Sequence, residues 1–449
     1  MENFESEVIK YITDNKMLSA GDRVGIAVSG GSDSMALLHF LKGLSSEIGI
    51  HVLAVTVNHN LRKTSRKDVM FVKQYCADNK IECIVMNADV PAFAAKNKMG
   101  LEQAARILRY QCFETAVNKH KLTKFAVAHH MNDQAETILL HIFRGCGLKG
   151  ASGMSPVNGI YIRPFLNVKK ADLIAYNYRN STPNVIDETN DDNRYSRNFV
   201  RNVILPKVKE EWRNVEDNIV NFGKIVSRDN AFINSHADTH GIMRDANAVR
   251  IPLNRFAFPT PVVSRLVLQA LTMLGIKRNI EAKHVDAIIS LSIDGLNGER
   301  VDLPNNSYAV KEYEYITIVK REKRVEEKTY PFKIGKTVVE GFGTITVTKT
   351  ISHKLAIERG LLVADAAKLP KKARWRFKAD GDMFTKFGGG TKKVNSYLTD
   401  KKIPARLRPT IPVLAEGSTV FVVGGVGISE SVKTDRDTID AYVLEFTRQ

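Results

Sequence analysis

Cysteine is scarce in this chain, and none of the four residues, Cys76, Cys83, Cys112 and Cys146, stands in a C-x-x-C pair or at metal-ligand spacing. That excludes a metal centre built on thiolates and leaves the four as small core residues. Long apolar runs are missing as well. No stretch approaches the roughly 18 residues that a helix needs to cross a bilayer. The start, Met1-Glu2-Asn3-Phe4-Glu5-Ser6-Glu7, is acidic where an export signal is basic and then apolar. The expectation is a cytoplasmic protein that enters no membrane. Internal repeats and low-complexity tracts are absent, and a 43% hydrophobic, 26% charged composition is that of an ordinary globular chain. Negative charge is also in short supply: 66 Lys and Arg face 49 Asp and Glu, a formal +17. Such an excess calls for a polyanionic partner, and nucleic acid is the expected one.

What is present begins with Ser29-Gly30-Gly31-Ser32-Asp33-Ser34. The run Val24–Val28 before it reads as a buried parallel strand and Met35–Leu41 after it as the opening of a helix, so the Ser/Gly stretch is the turn between them. Glycines let a backbone approach a phosphate, the first N–H groups of a helix supply partial positive charge, and the three hydroxyls add donors. The loop has neither the lysine of a Walker A sequence nor the G-x-G-x-x-G spacing of a dinucleotide fold. It suits a pyrophosphate that leaves with a metal ion, and Asp33 is its one charged group able to hold Mg²⁺. The plainer reading is a turn in which Ser or Asp caps a helix.

At 449 residues the chain exceeds one core and divides into two or three domains. Strands expected at Val24–Val28, His51–Val57, Cys83–Met86 and Phe125–Ala128 alternate with helices at Ser34–Leu44, Lys67–Asn79, Leu101–Lys119 and Asp133–Phe143. This is the α/β pattern of a doubly wound parallel sheet, whose ligand site lies at the carboxyl ends of the strands, where the Ser29 and His129 loops emerge. Asn180–Asn198 reads as a long loop or linker. Residues 199–320 read as mainly helical, with helices at Phe199–Val215 and Pro261–Leu274 and short strands near Tyr308–Val319 at the end. The charged stretch Lys320–Lys328 precedes a small α+β domain with strands at Gly343–Thr348, Val420–Gly424 and Ala441–Phe446. The expected domains are therefore 1–198, 199–320 and 330–449.

The basic excess concentrates late in the chain, at Lys320-Arg321, Lys323-Arg324, Lys368, Lys371-Lys372, Arg374, Arg376, Lys378, Lys392-Lys393, Lys401-Lys402, Arg406 and Arg408. Trp375, Phe377, Phe384 and Tyr397 interleave with these charges, which suits bases stacked beside phosphate contacts or, alternatively, the filling of a small core. His129, His130, Asp133, Glu136 and His141 invite a zinc reading, but adjacent histidines on a strand end point apart and no common face forms. Asp133 with Glu136 equally suits the opening of a helix, and Arg106 with Arg109 equally suits a charged helix surface shared with Glu102.

The hexapeptide Ser29–Ser34 resembles the SGGxDS signature of the PP-loop ATP pyrophosphatases. Further segments narrow the resemblance. Leu101-Glu102-Gln103-Ala104-Ala105-Arg106-Ile107-Leu108-Arg109-Tyr110 and Ala128-His129-His130-Met131-Asn132-Asp133-Gln134-Ala135-Glu136-Thr137 are similar to stretches of the tRNA(Ile)-lysidine synthetases. So are Gly150-Ala151-Ser152-Gly153-Met154, Asp187-Glu188-Thr189-Asn190, Arg197-Asn198 and Arg201-Asn202, and, in the last domain, Arg374–Asp382 with the basic groups that follow. Position 132 is often Asp in that family, and Asn132 is expected to serve as well.

The resemblance implies an adenine nucleotide alpha hydrolase-like first domain and a reaction that uses ATP and Mg²⁺ to join L-lysine to C2 of the wobble cytidine in the CAU anticodon of tRNA(Ile). It further implies that Ser29, Gly30, Gly31, Ser32, Asp33 and Ser34 bind the nucleotide and that Asp33 and Asp133 hold the metal. Arg106 or Arg109 would offset charge on phosphate or on the cytidine oxygen, and Asp133 or Glu136 would orient or deprotonate the attacking ammonium. The division of these roles stays open, as does a homodimer. A tRNA thiolase and a non-catalytic RNA-binding module are the competing readings; the first needs sulfur-carrying cysteines, and the second needs no pyrophosphate release.

Overall fold

The structure, a computed structural model, describes residues 2–59, 65–185, 193–321 and 328–448. Asp187–Asn190 and Lys323-Arg324 lie outside the described residues. The chain forms two compact units, Met1–Phe232 and Ile233–Gln449.

In the first unit α1 (Glu2–Asp14), β1 (Arg23–Ala27), α2 (Ser32–Ile48), β2 (His51–Asn58), α3 (Ser65–Asp78), β3 (Glu82–Asn87), α4 (Val90–Asn97), α5 (Leu101–His120), β4 (Lys124–Ala126) and α6 (Met131–Phe143) follow in order. Then come α7 (Leu148–Ala151), β5 (Val157–Asn158), β6 (Tyr161–Ile162), α8 (Lys170–Arg179), α9 (Ser196–Phe199), a π turn over Val200–Ile204, α10 (Leu205–Glu211) and α11 (Val215–His236). The sheet order β3-β2-β1-β4-β6-β5 is parallel except for the last pair. The parallel strands β1 to β4 are joined by helices, so both faces are covered and the strand centres are apolar: Val24 and Ile26 have no exposure. Val24, Ile26, Met35, Leu37, Leu38 and Leu41 form one continuous core between β1 and α2, and this rigid contact fixes the turn that joins them. The carboxyl ends of β1, β2 and β4 open on one edge, as a doubly wound sheet requires.

In the second unit, β8 (Ala248–Pro252), β9 (Arg300–Leu303), β10 (Ser307–Glu312) and β11 (Tyr315–Lys320) pair antiparallel in the order β8-β11-β10-β9, preceded at the edge by β7 (Met243–Arg244). Helices α12 (Thr260–Met273) and α13 (Ala282–Ile293) pack on this sheet. The strands expected near Tyr308–Val319 are thus a hairpin inside a five-stranded sheet. Two of its strands are only a few residues long, too short for period-two alternation to stand out.

Residues 330–448 carry two further sheets, one around Arg374–Phe377, Pro412–Glu416 and Thr419–Val423, the other joining Gly335–Val339, Gly343–Thr350, Leu362–Asp365 and Ala441–Arg448. Here the aromatic residues are core. Trp375 has no exposure, Phe384 1% and Tyr397 8%, and the last two rings sit 4.4 Å apart, so base stacking on them is ruled out. Strand alternation explains the interleaving: Arg374 points outward and Trp375 inward. Cysteine also divides differently from expectation. Cys76 and Cys112 are buried and Cys83 half-buried, but Cys146 is exposed, because it follows α6 on a loop where nothing packs over it. Among the described residues no helix is long and apolar enough to cross a membrane.

Candidate active site

The phosphate-loop candidate is held open by its own hydroxyls. Gly30 adopts φ +90°, a conformation that costs a side-chain-bearing residue heavily. Ser34 Oγ donates to the Gly31 carbonyl (2.9 Å) and accepts from the Ser29 N–H (3.2 Å), and Ser29 Oγ accepts from the Gly31 N–H (3.4 Å). The loop carbonyls are taken from outside: Val185 N–H donates to that of Gly30 and Asn177 Nδ2 to that of Ser32, both at 2.9 Å. With its acceptors occupied, the loop presents the opening N–H groups of α2, which have no intrahelical partner. Such a surface selects anions.

A lysine absent from the loop reaches it from α8. Lys170 Nζ donates to Ser32 Oγ at 2.9 Å and forms an ion pair with Asp33. Its backbone N–H donates to Asn132 Oδ1 (2.9 Å), while Asn132 Nδ2 donates to Glu216 Oε1 (2.9 Å). Asn132 therefore uses both ends of an amide. A carboxylate there would keep the Lys170 bond through one oxygen and set the other against Glu216 in place of the donated bond.

Asp133 and Glu136 sit one turn apart on α6, 8% and 1% exposed. Glu136 accepts from Arg197 Nε (2.8 Å) and from Arg201 Nε (2.6 Å) and Nη2 (2.9 Å). Asp133 Oδ1 accepts from Arg197 Nη2 (3.1 Å) and Arg201 Nη2 (2.9 Å), and its Oδ2 accepts from the His130 N–H (3.1 Å). The same His130 accepts from the Asp133 N–H through Nδ1, the reciprocal pairing of a capping box. That places the imidazole proton on Nε2, which lies 3.4 Å from Asp133 Oδ2 and 3.7 Å from Asp33 Oδ2. One buried imidazole thus bridges the phosphate loop to the carboxylate layer. Burial alone raises the Asp133 pKa, but His130 and Arg197 outweigh it and hold the group below the usual carboxylate value.

Arg106, Arg109 and His129 line one cavity of about 440 Å³ together with Ser29, Asp33 and Ser34. Arg106 also lies over the Tyr110 ring, 5.2 Å from its centroid. Arg163, a buried residue, donates Nε to His129 Nδ1 (3.3 Å). Desolvation lowers the His129 pKa to about 4, so the ring is neutral near pH 7, with its proton on Nε2. Gln134 explains another motif: its amide accepts from the Met154 N–H (2.7 Å) and donates to the Met154 carbonyl (3.0 Å). Gly153 faces it at φ +69°, where a Cβ would come within 2.7 Å of the Gln134 amide.

The structure therefore brings Ser29, Gly31, Asp33, Ser34, Arg106 and Arg109 to one cavity, without Gly30 and Ser32, which do not line it, and Asp133 and Glu136 into an adjoining carboxylate–guanidinium layer. Lys170, Arg163, Arg197 and Arg201 were not among the expected site residues. For the last two the signal was readable: residues four apart share a helix face, as do Asp133 and Glu136 at three apart.

Comparison with known proteins settles what this architecture belongs to. Residues 1–208 match the PP-loop domain family, and residues 373–444 match the TilS substrate C-terminal domain. The chain is 32% identical to the tRNA(Ile)-lysidine synthase of Clostridium acetobutylicum, over 99% of each chain. The chain belongs to the tRNA(Ile)-lysidine synthase family. A second relative, the tRNA(Ile)-lysidine synthase of Caldanaerobacter subterraneus subsp. tengcongensis, is 30% identical over 99% of this chain and 97% of its own. The lysidine synthase family is one of ligases with an ATP-using PP-loop domain, and the Ser29–Ser34 loop lies within the residues that match that domain.

Proposed function

We propose that the protein joins L-lysine to C2 of the wobble cytidine in the CAU anticodon of an isoleucine tRNA, with ATP converted to AMP and pyrophosphate. The observation that carries this reading is the convergence of the anion-selecting loop, Arg106, Arg109 and neutral His129 on one cavity. It lies beside the Asp33–His130–Asp133 bridge.

On this reading the triphosphate lies along Ser29–Ser34, with Lys170 sharing its charge from α8. Asp33 fits a magnesium ion: its carboxylate is hard, about 29% exposed and placed at the phosphate loop. Mg²⁺ commonly takes one or two carboxylates with phosphate oxygens and water. Asp133, across His130, is the second carboxylate. Bound there, the ion would offset charge on the departing pyrophosphate.

In the first step cytidine O2 attacks the α-phosphorus, the O2–P bond forms, the bond to the β-phosphate bridging oxygen breaks, and pyrophosphate leaves. Arg106 and Arg109 offset the charge that gathers on phosphate or on the cytidine oxygen. In the second step the lysine ε-amine adds to C2 and the C2–O2 bond breaks, releasing AMP. The ammonium must give up a proton before it attacks. Asp133 or Glu136 orients it or takes that proton. The basic residues of 199–320 and 330–449 grip the tRNA, and that substrate places the work in the cytoplasm.

The test is pyrophosphate release with L-lysine and total tRNA added separately and together. Sustained release is expected only with both. Tight tRNA binding with no release under any condition returns the chain to an RNA-binding module.

A further inference from the structure

The second unit holds a cavity of about 380 Å³ between the β9–β10 hairpin and the 3₁₀ turn Ala405–Thr410, to which no role has been given. Its walls are basic. Arg300, Lys311, Arg406 and Arg408 line it against one carboxylate, Glu312. That carboxylate is 5% exposed and already satisfied, accepting from Arg406 Nε (3.1 Å) and Thr317 Oγ1 (2.8 Å).

The arginines are positioned rather than merely present. Arg406 is anchored through Nε on Glu312, and Arg408 through Nε on the Ile403 carbonyl (2.9 Å). Anchoring at Nε steadies each guanidinium and leaves its terminal N–H groups to a ligand. Pro404 caps this turn and Pro409 lies within it, and both stiffen it. Arg300 lies over the Tyr308 ring on the opposite wall, 5.9 Å from its centroid. Several guanidiniums around one cavity with a single, already paired carboxylate make a phosphate site, since the fork matches two phosphate oxygens at once. A cavity of this volume, walled by an aromatic ring on one side, holds a phosphate together with its sugar and base.

We infer that this cavity binds one nucleotide of the tRNA, other than the reacting cytidine, through its phosphate. The inference rests on the tRNA reading above.

The test uses the full chain and a tRNA(Ile) transcript with a CAU anticodon. Arg300→Gln with Arg408→Gln leaves the Glu312–Arg406 pair intact and should fold normally by thermal midpoint. It should weaken tRNA binding about 10- to 100-fold and lower the slope of log affinity against log salt by about 1 to 2. At saturating tRNA, kcat should stay within about twofold while KM for tRNA rises. Arg300→Lys with Arg408→Lys keeps every charge but loses the fork, and should recover little of the affinity. The exposed single variant Arg300→Gln serves if a double variant misfolds. Wild-type affinity and slope in the glutamine variants overturn the inference, even if calorimetry shows that they have lost binding of free cytidine monophosphate. Full recovery by the lysine pair also overturns it, reducing the pocket to unspecific charge. Failure of the wild type to bind tRNA overturns the tRNA reading itself, and the inference with it.

Discussion

Lys170→Ala is the substitution that tests the phosphate site most directly. Lys170 is the lysine that the Ser29–Ser34 loop does not contain, delivered by the first turn of α8 and held on Ser32 Oγ and Asp33. A unit charge about 4 Å from a phosphate oxygen is worth about 4 kcal/mol at an effective dielectric near 20. The Lys170 side chain is 33% exposed, and solvent screening at that exposure halves the figure to about 2 kcal/mol. The loss should appear as a roughly 30-fold fall in kcat/KM for ATP. KM for tRNA should not move. As a structural ion pair alone, Lys170–Asp33 would contribute only about 0 to 1 kcal/mol to stability, so the thermal midpoint should change little. The assay is pyrophosphate release against ATP concentration, with Lys169→Ala as control. That neighbour is 52% exposed and pairs with Asp217, away from the loop. If both variants keep the wild-type kcat/KM for ATP, Lys170 takes no part in binding phosphate and the charge assignment fails.

Glu136→Gln removes a charge from a layer of two carboxylates and two guanidiniums; because the arginines reach solvent, the low end of the buried-pair range applies, about 3 kcal/mol, or a fall of roughly 6–12 °C in the first unit's melting. Unchanged melting would show that the layer is not a stabilising unit. Asn132→Asp should cost about 1–2 kcal/mol of stability, because it sets a second carboxylate against Glu216 while its other oxygen still accepts from the Lys170 N–H; a wild-type thermal midpoint would show that the Asn132–Glu216 contact contributes nothing. Burial, joined at His59 by the Arg109 charge, holds His59 and His129 at a pKa of about 4, below the ordinary 6.5. Between those values the unfolded chain takes up protons that the folded one refuses, so stability should fall as pH drops from 6.5 to 4. The depressed Asp133 adds a further loss as pH falls through 3.8. A thermal midpoint that is flat from pH 6.5 to 4.5 contradicts this assignment, and His59→Gln with His129→Gln should reduce the slope. Cys146 should react with a thiol reagent before the buried Cys76 and Cys112, as peptide mapping of the labelled protein would show.

The strands and helices of the first unit were legible because each carries its own signal. The Val24–Val28 run, the glycine-rich turn and the Met35–Leu41 face lie next to one another in sequence, and the α/β alternation follows from local periodicity. Lys170 was not legible, since its approach to Ser32 depends on how α8 packs beside α2, which nothing near position 170 announces. The same holds for Arg163 against His129. In the second unit the hairpin β10–β11 showed through, but β7 and β9 did not, and the interleaved aromatics Trp375 and Phe384 stayed open between base stacking and core because charge patterning alone cannot say which face of a short strand is buried. The bond from Asn132 to Glu216 was not legible for a related reason: Glu216 comes from α11.

The π turn at Val200–Ile204 bears on how the active site can change over evolutionary time. Val200 and Leu205 are both buried, yet five residues of regular α-helix would set them about 140° apart. The wider turn lets both enter the core while Arg201, between them, faces Glu136. A one-residue deletion here would relax into ordinary helix at little backbone cost, but it would rotate either Leu205 out of the core or Arg201 off its carboxylate. Side chains around the turn can therefore be exchanged with some freedom, whereas its length is constrained: an insertion or deletion that a surface loop absorbs would, at this point, pull Arg201 from Glu136 or Leu205 from the core.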